Sequence, residues 1–263
     1  MTVCIISGAE ASRLDNCLSS VAALASEVIV VLDDRANDGT DEVARCHGAK
    51  VFIEQWKGHI GQKNSAAEKA TGDWILSLDA DEALSPELRD EIAALLQNAE
   101  GPPFSAYSFP RCSRYFGRWI RHGDWYPDRQ TRLWRRGTAK WGGIDPHDKL
   151  LVEGKVGQLR GDLLHYSMTS FDQQIKKTIV YADEFVRQCD AQSRRVTLVD
   201  LGFRPAYRFL RSYVLRLGFL DGWQGYSIAW MTAFYTFLRY AKAKEVQEQS
   251  DPETRAISRG PHS

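Results

Sequence analysis

Four short apolar runs that alternate with helical patterns dominate the first hundred residues of this 263-residue chain. The apolar runs fit buried strands and cover residues 2–6, 27–32, 49–53 and 74–78. Helical spacing of apolar residues follows each run, and Ser85-Pro86-Glu87 has the composition of a helix start. Strands and helices that alternate in this way form an open sheet with right-handed crossovers. The sequence therefore predicts an α/β fold, a mostly parallel sheet flanked by helices.

Acidic residues mark the ends of these predicted strands. Open parallel sheets bind ligands in the crevice at the carboxyl ends of their strands. The acidic residues expected on this rim are Glu10, Asp33, Asp38, Asp79 and Asp81. The sequence thus predicts a ligand site lined by carboxylates.

The stretch GDWILSLDADE, residues 72–82, carries three carboxylates within four positions directly after a strand. If the strand continues, Asp79 and Asp81 point to the same face of the sheet. Two carboxylates on one face suit Mg²⁺ or Mn²⁺, which commonly combine one or two carboxylates with substrate phosphates. The alternative is an acidic turn before the next helix, whose positive N-terminal end also favours carboxylates.

Charge and cysteine content narrow the functional class. Residues 1–100 carry 8 Lys/Arg against 18 Asp/Glu, whereas residues 101–190 carry 15 against 10. This division argues against a simple nucleic-acid binder and fits an acidic metal-holding part beside a basic part that meets phosphates. The five cysteines show neither zinc-site spacing nor an even count, and the N-terminus has no secretory pattern. We therefore expect a cytoplasmic protein.

The C-terminal third is basic and aromatic. Residues 191–244 contain nine Lys/Arg and two Asp/Glu, and the uncharged run 222–238 is shorter than the roughly 20 apolar residues that span a bilayer. We expect residues 191–245 to form a helical extension that lies on an anionic membrane surface. The alternative is a pair of helices that packs on the catalytic part or dimerises. Residues 246–263 have the composition of a disordered tail.

Three blocks of sequence resemble the nucleotide-sugar domain of family 2 inverting glycosyltransferases, which have the GT-A fold. They are the strand ending in Ser7-Gly8-Ala9-Glu10, VVLDDRANDGT at 30–40, and GQKNSAAEKATGDWILSLDADE at 61–82. The later blocks, at 116–137 and 218–225, resemble the subgroup that adds glucose to the lipopolysaccharide inner core. The resemblance implies a nucleotide-sugar half at 1–100 and an acceptor half at 101–190. Two blocks depart from the family, at Gly8-Ala9 and at residues 34–36.

The resemblance also implies a donor site on the acidic rim. Asp81 would ligate Mn²⁺ or Mg²⁺, and this ion would stabilise the charge that grows on the pyrophosphate leaving group. Asp79 would lie near the ribose or a metal-bound water, and Asp33 near the uracil or ribose. The other donor-binding residues implied are Ser7, Glu10 and Lys63. The alternatives are an Asx-type turn for Asp33 and a solvated helix charge for Lys63.

An inverting transfer needs a base that takes the proton of the attacking acceptor hydroxyl. The family pattern of an acidic residue just after a histidine implies Asp148, with Asp145 as the reserve. His147 would orient the carboxylate or the acceptor.

The resemblance implies further contacts in the second half of the chain. His165 would be a third metal ligand, although a histidine after an apolar pair also fits a core position. The residues themselves indicate an acceptor surface, because Trp125, Arg129 and Arg132 belong to a basic and aromatic segment suited to sugar stacking and to phosphates. The alternative is that part of this segment is an amphipathic strand with one face in the core.

These inferences predict a metal-dependent hexosyltransferase, with glucose as the expected sugar. Its partners would be a UDP-sugar donor, a glycolipid acceptor such as the lipopolysaccharide inner core, and the inner face of the cytoplasmic membrane. No nucleic-acid partner is expected. The alternatives are a different acceptor or a non-catalytic membrane-associated scaffold. A nucleotidyltransferase would need a Gly-rich, Arg-containing loop after the first strand, and Ser7-Gly8-Ala9-Glu10 is not one.

Overall fold

The computed structural model describes residues 1–99, 101–144, 147–168, 170–191 and 195–250. The chain forms two compact units. The first contains Met1–Ser113 and Pro127–Ser167, and the second contains Arg114–Tyr126 and the chain from Met168 onward. The expected nucleotide-sugar and acceptor halves of one domain, 1–100 and 101–190, both contribute strands to one sheet.

The first four strands of this sheet are parallel neighbours in the order β3-β2-β1-β4. They are β1 (Thr2–Ser7), β2 (Glu27–Asp33), β3 (Lys50–Glu54) and β4 (Trp74–Asp79). The helices that connect them are α1 (Ala11–Val21), α2 (Thr40–Cys46) and α3 (Gly58–Glu68). This part of the sheet matches the alternation predicted from the sequence.

The rest of the sheet is largely antiparallel, and it continues in the order β4-β8-β6-β12-β5. Its members are β5 (Glu82–Leu84), β6 (Ala106–Tyr115), β8 (Asp128–Arg135) and β12 (Leu163–Met168), with α4 (Pro86–Gln97) after β5. Two short strands, β7 (Arg118–Trp119) and β11 (Val156–Gln158), pair with β6. A separate hairpin consists of β9 (Ala139–Ile144) and β10 (His147–Val152). The expectation of a mostly parallel sheet therefore holds only for the first half. Parallel neighbours need long crossover connections, and the described residues between β6 and β12 contain no α-helix.

Both faces of the sheet are covered. Val3 and Ile5 of β1 join a core cluster with residues of α1 and α4, whereas Cys4 and Ile6 face the opposite cluster with Ala66 of α3. This alternation follows from the two-residue period of a strand. A sheet buried on both faces holds the ends of its strands in fixed positions, and those ends carry the acidic residues.

The second compact unit is helical. Its helices are α5 (Phe171–Ala191), α6 (Leu198–Leu201), α7 (Phe203–Leu210) and α8 (Gly222–Ser250). Helix α8 runs to Ser250, past position 246 where a disordered tail was expected, and the rest of that tail lies outside the described residues. Among the helices described, none combines the length and apolar character needed to cross a bilayer.

Candidate active site

The carboxylate of Asp79, at the end of β4, lies between two buried cations. Its Oδ1 is 3.0 Å from Lys63 Nζ, and its Oδ2 accepts a hydrogen bond of 2.8 Å from Arg132. Burial by itself would raise the pKa of Asp79, but Arg132 and Lys63 outweigh burial and hold this pKa far below its usual range. Asp79 is therefore ionised throughout the physiological pH range.

Lys63 connects Asp79 to Asp148. Its ammonium group donates a 2.8 Å hydrogen bond to Asp148 Oδ2 and lies 4.7 Å from the centre of the Trp141 ring. The Lys63 side chain is only 2% exposed, so the alternative of a solvated helix charge is excluded. A single lysine thus holds the predicted base beside a predicted donor-site carboxylate.

The next residue on α3 fixes the hairpin that carries Asp148. The Asn64 side chain donates to the carbonyl of Trp141 and accepts from the backbone N–H of Trp141, both at 3.0 Å. Trp141 lies on β9, and Asp148 pairs with Gly143 of that strand. Two consecutive residues of the motif Gln62-Lys63-Asn64 therefore hold Asp148, the predicted base, and its hairpin in place. Sequence reasoning identified the motif but missed the roles of Asn64 and Trp141.

Arg132 is a buried counter-ion, which differs from the acceptor-binding surface expected for it. Besides Asp79, its guanidinium contacts Glu82 at 3.2 Å, and its residue exposure is 3%. Burial would lower the pKa of Arg132, but Asp79 and Glu82 raise it above the ordinary value. The reason for the difference is that β8 lies next to β4, which turns Arg132 toward Asp79. Glu82 had no role assigned from the sequence, yet it also accepts the backbone N–H of Asp79.

Asp81 occupies a different environment from Asp79, because β4 ends at Asp79 and a turn follows at Ala80 and Asp81. The two carboxylates therefore do not share one face of a continuous strand, as the sequence had suggested. Asp81 Oδ2 lies 3.4 Å from His165 Nε2 and 3.8 Å from a guanidinium nitrogen of Arg13. His165 reaches this position because β12 pairs with β5 in a register that sets His165 opposite Glu82.

Glu10 shares the acidic rim with Asp81. Burial and the negative charge of Asp81 raise the pKa of Glu10 above its usual value, and Arg13 only partly offsets them. The raised pKa of Glu10 reflects its burial first and then the negative charge of Asp81 beside it. Such a site favours a cation.

The pair Asp81 and His165 fits two positions around one divalent ion. Bonds of about 2.1 Å at a right angle separate two ligand atoms by about 3 Å, close to the 3.4 Å between their Oδ2 and Nε2 atoms. Within the described ranges, no group of three or more His, Cys, Asp or Glu side chains is arranged to hold an ion. An ion here would therefore need oxygens from a ligand as well, which is usual for magnesium bound with phosphates.

Asp33 is engaged by a neighbour on its own loop. Its Oδ1 accepts from the backbone N–H and Nε of Arg35, and its Oδ2 accepts from a terminal guanidinium nitrogen at 2.6 Å. These hydrogen bonds lower the pKa of Asp33 to about 2. Arg35 belongs to the segment 34–36 that departs from the family pattern, and it covers the carboxylate expected to meet the nucleoside.

The other predicted site residues contact groups outside the cluster around Lys63, or lie outside the described residues. Ser7 is buried at the end of β1, where its hydroxyl donates to the carbonyl of Gly8. Arg129 is exposed and donates to the carbonyls of Ser108 and Leu159. Trp125 belongs to the second compact unit and packs edge-on against Tyr115. Asp145, the reserve base, lies outside the described residues, as does the side chain of His147.

Comparison with known proteins identifies the family. The model of the glycosyl transferase family 2 matches residues 2–153. An uncharacterized glycosyltransferase of Rickettsia prowazekii is 30% identical, over 94% of this chain and 87% of that protein. The lipopolysaccharide core biosynthesis glycosyltransferase LpsC of Rhizobium meliloti is also 30% identical, over 89% and 87%. The structure of Staphylococcus aureus TarS 1–349 in complex with UDP-GlcNAc is a distant likeness, with a TM-score of 0.47 and 13% identity over 95% of this chain and 92% of that one. The chain is a member of glycosyltransferase family 2.

Proposed function

We propose that this glycosyltransferase transfers a hexose, with glucose as the preferred sugar, from a UDP-sugar to a glycolipid with inversion at the anomeric carbon. The observation that carries the proposal is the buried Lys63, which joins Asp79 to Asp148. It brings a donor-side carboxylate and a candidate base into one polar cluster, as a displacement reaction requires. The name of LpsC supports the lipopolysaccharide core as the acceptor class.

In this proposal the donor binds at the acidic rim, with the 1–100 part of the chain supplying most of its contacts. Asp81 and His165 would hold Mn²⁺ or Mg²⁺, which supplies positive charge to the leaving pyrophosphate. Glu10 adds negative charge beside Asp81 and thereby favours the cation. Asp33, released from Arg35, would accept a hydrogen bond from the nucleoside.

Asp148 is the proposed base. Lys63 holds its Oδ2, which fixes the orientation of the carboxylate and leaves Oδ1 to take the proton of the acceptor hydroxyl. Its side chain is 14% exposed, so an acceptor can approach it. The acceptor would be bound by residues of the 101–190 range, with Arg129 at its surface. A glycolipid acceptor places the reaction at the inner face of the cytoplasmic membrane.

The direct test is calorimetric titration with UDP-glucose, UDP-galactose and UDP-N-acetylglucosamine, with and without Mn²⁺. We expect binding that requires the metal and is tightest for UDP-glucose. A transfer assay with Asp148→Asn should then show lost turnover with preserved donor affinity. Metal-independent binding would contradict the assigned role of Asp81, and loss of donor affinity in Asp148→Asn would contradict the assigned base.

A further inference from the structure

In the second compact unit, three arginines converge on one carboxylate. Asp124, whose side chain is 9% exposed, contacts Arg211 and lies 3.3 Å from Arg216 and 3.5 Å from Arg208. The arginine side chains are between 25% and 45% exposed. One carboxylate balances one of the three positive charges. This arginine triad therefore presents two uncompensated guanidinium charges at the surface.

A tightly built segment holds the triad in place. The chain makes a π-helical turn at Arg211–Leu215, and Leu217 then adopts a left-handed φ of 57°. A side chain at Gly225 would come within 1.9 Å of the Gly218 carbonyl, so the start of α8 packs directly on the segment. Non-glycine residues rarely adopt a positive φ unless the surrounding structure requires it. The segment is thus a fixed feature of the unit.

The same segment exposes large apolar side chains. Between 44% and 63% of the surface of each remains accessible, with Leu215 the most exposed at 63%. The members from the segment and the start of α8 are Val214, Leu215, Leu217, Phe219, Leu220 and Trp223. Soluble proteins seldom expose so many large apolar residues together unless the surface meets an apolar partner.

Both neighbouring helices extend this apolar surface. On α7, Phe203, Tyr207 and Leu210 are exposed at helical spacing, one residue before the stripe Arg204, Arg208 and Arg211. On α8, an exposed aromatic stripe follows at Trp223, Tyr226, Trp230, Phe234 and Phe237. Apolar side chains flanked by arginines match the profile of an element lying in a bilayer interface, with apolar groups among the acyl chains and cations at phosphate depth.

We propose that residues 203–223, together with the exposed aromatic stripe of α8, dock on an anionic bilayer surface, and that the arginine triad binds the phosphate of a lipid headgroup. Guanidinium groups suit this role because their planar donors match phosphate oxygens. This proposal specifies how the chain would reach a membrane. It concerns an interaction that does not involve the donor site, so it can fail or succeed independently of the proposed reaction.

Charge and composition favour the bilayer over other occupants. Residues 191–244 carry nine Lys/Arg and two Asp/Glu, so two copies facing each other through this surface would repel. Beside the aromatic stripe, the surface exposes aliphatic residues, such as Leu210, Leu215 and Leu220, and these suit acyl chains better than nucleic-acid bases. An anionic leaflet satisfies both the charge and the apolar surface.

The test is co-sedimentation of the full chain with vesicles of equal phosphatidylglycerol and phosphatidylcholine, and with vesicles of phosphatidylcholine alone. We expect binding to the anionic vesicles that weakens as salt is raised. Leu215→Ser combined with Leu220→Ser should reduce this binding at least about tenfold, because both side chains enter the acyl boundary. The matched control is Ile53→Ser combined with Leu151→Ser, which changes equally exposed residues of the first unit and should bind as the unaltered chain does.

A second pair of variants tests the arginines. Arg208→Gln combined with Arg216→Gln leaves Arg211 to balance Asp124, and it should weaken binding to anionic vesicles about 25-fold, roughly fivefold for each cation. Arg45→Gln combined with Arg187→Gln is the control for net charge. Unchanged thermal unfolding and UDP binding would show that the variants are folded. Equal binding to both vesicle types would overturn the proposal, as would variants that bind like their controls. It would also be overturned if sedimentation velocity showed that the chain dimerises and that the two leucine changes abolish the dimer.

Discussion

Lys63 Nζ and Asp148 Oδ2 lie 2.8 Å apart although 85 residues separate them in the sequence. The lysine comes from the helix that follows β3, and the aspartate comes from a hairpin in the second half of the chain. Their contact makes the proposed base part of the same charged cluster as Asp79. Substitutions in this cluster and at its neighbours therefore test what each side chain contributes.

Replacing Lys63 by methionine keeps an unbranched side chain of similar width but leaves two carboxylates without their shared cation. Removing one partner of a buried ion pair costs about 3–5 kcal/mol, so we expect that loss in the free energy of unfolding measured with urea. Transfer should fall by about 100-fold or more, because Asp148 loses its orientation. Lys50→Met, at an exposed lysine, is the control. A Lys63→Met enzyme with full activity would remove Lys63 from the proposed mechanism.

Asn64→Ala should disturb the position of the proposed base and leave donor binding nearly unchanged. The change removes two hydrogen bonds to Trp141, which contribute about 1 kcal/mol each. We expect a lower kcat with nearly unchanged affinity for UDP, measured by steady-state kinetics and calorimetry. Asn16→Ala, at an exposed position of α1, should alter neither value. A change confined to donor affinity would contradict the role of Asn64 in positioning the hairpin of Asp148.

Asp81→Ala and His165→Ala should both impair the Mn²⁺-dependent binding of UDP. Asp81 supplies the charged ligand, so its loss is expected to abolish metal-dependent binding, whereas losing His165 should weaken it about 10- to 100-fold. Calorimetry across a Mn²⁺ series measures this directly. Arg13 also contacts Asp81, and Arg13→Gln should leave the metal requirement in place. Equal metal requirements in His165→Ala and the unaltered chain would exclude the histidine as a ligand.

The raised pKa of Glu10 predicts a pH-dependent stability in the absence of metal. A carboxyl with a raised pKa binds more protons in the folded than in the unfolded chain, so its contribution is full below the unfolded pKa and is lost as pH rises through the folded pKa. Glu10→Gln should therefore gain stability relative to the unaltered chain as pH increases from 4 to 7. Mn²⁺ should reduce this difference, since a cation near Asp81 offsets the repulsion. Urea unfolding at several pH values is the measurement, and a difference that is independent of pH would contradict the prediction.

Arg35→Ala should free Asp33 for the nucleoside. Arg35 occupies both oxygens of this carboxylate, so a ligand that uses Asp33 must displace it. We expect UDP to bind several-fold more tightly to Arg35→Ala, while Arg45→Ala has no effect. Weaker binding would show instead that Arg35 itself contacts the nucleotide.

The sequence predicted those features that local patterns determine. Alternating apolar runs located the four parallel strands, and the acidic residues after them located the rim. The environment of Arg132 could not be read from its own segment, because an arginine that alternates with Leu133 fits either an exposed or a buried face. Only the pairing of β8 with β4 turns it toward Asp79. Arg35 covers Asp33 because of the conformation of one loop. The departure from the family pattern at residues 34–36 indicated that this loop differs, but it did not predict the conformation.

The two hydrogen bonds between Asn64 and Trp141 link the donor side of the cluster to the proposed base. Neighbouring residues of α3 hold the donor-side carboxylate and the hairpin of the base, so any shift of this helix when a donor binds is transmitted to Asp148. In the proposed reaction, donor occupancy and the alignment of Asp148 would thereby be coupled through one helix.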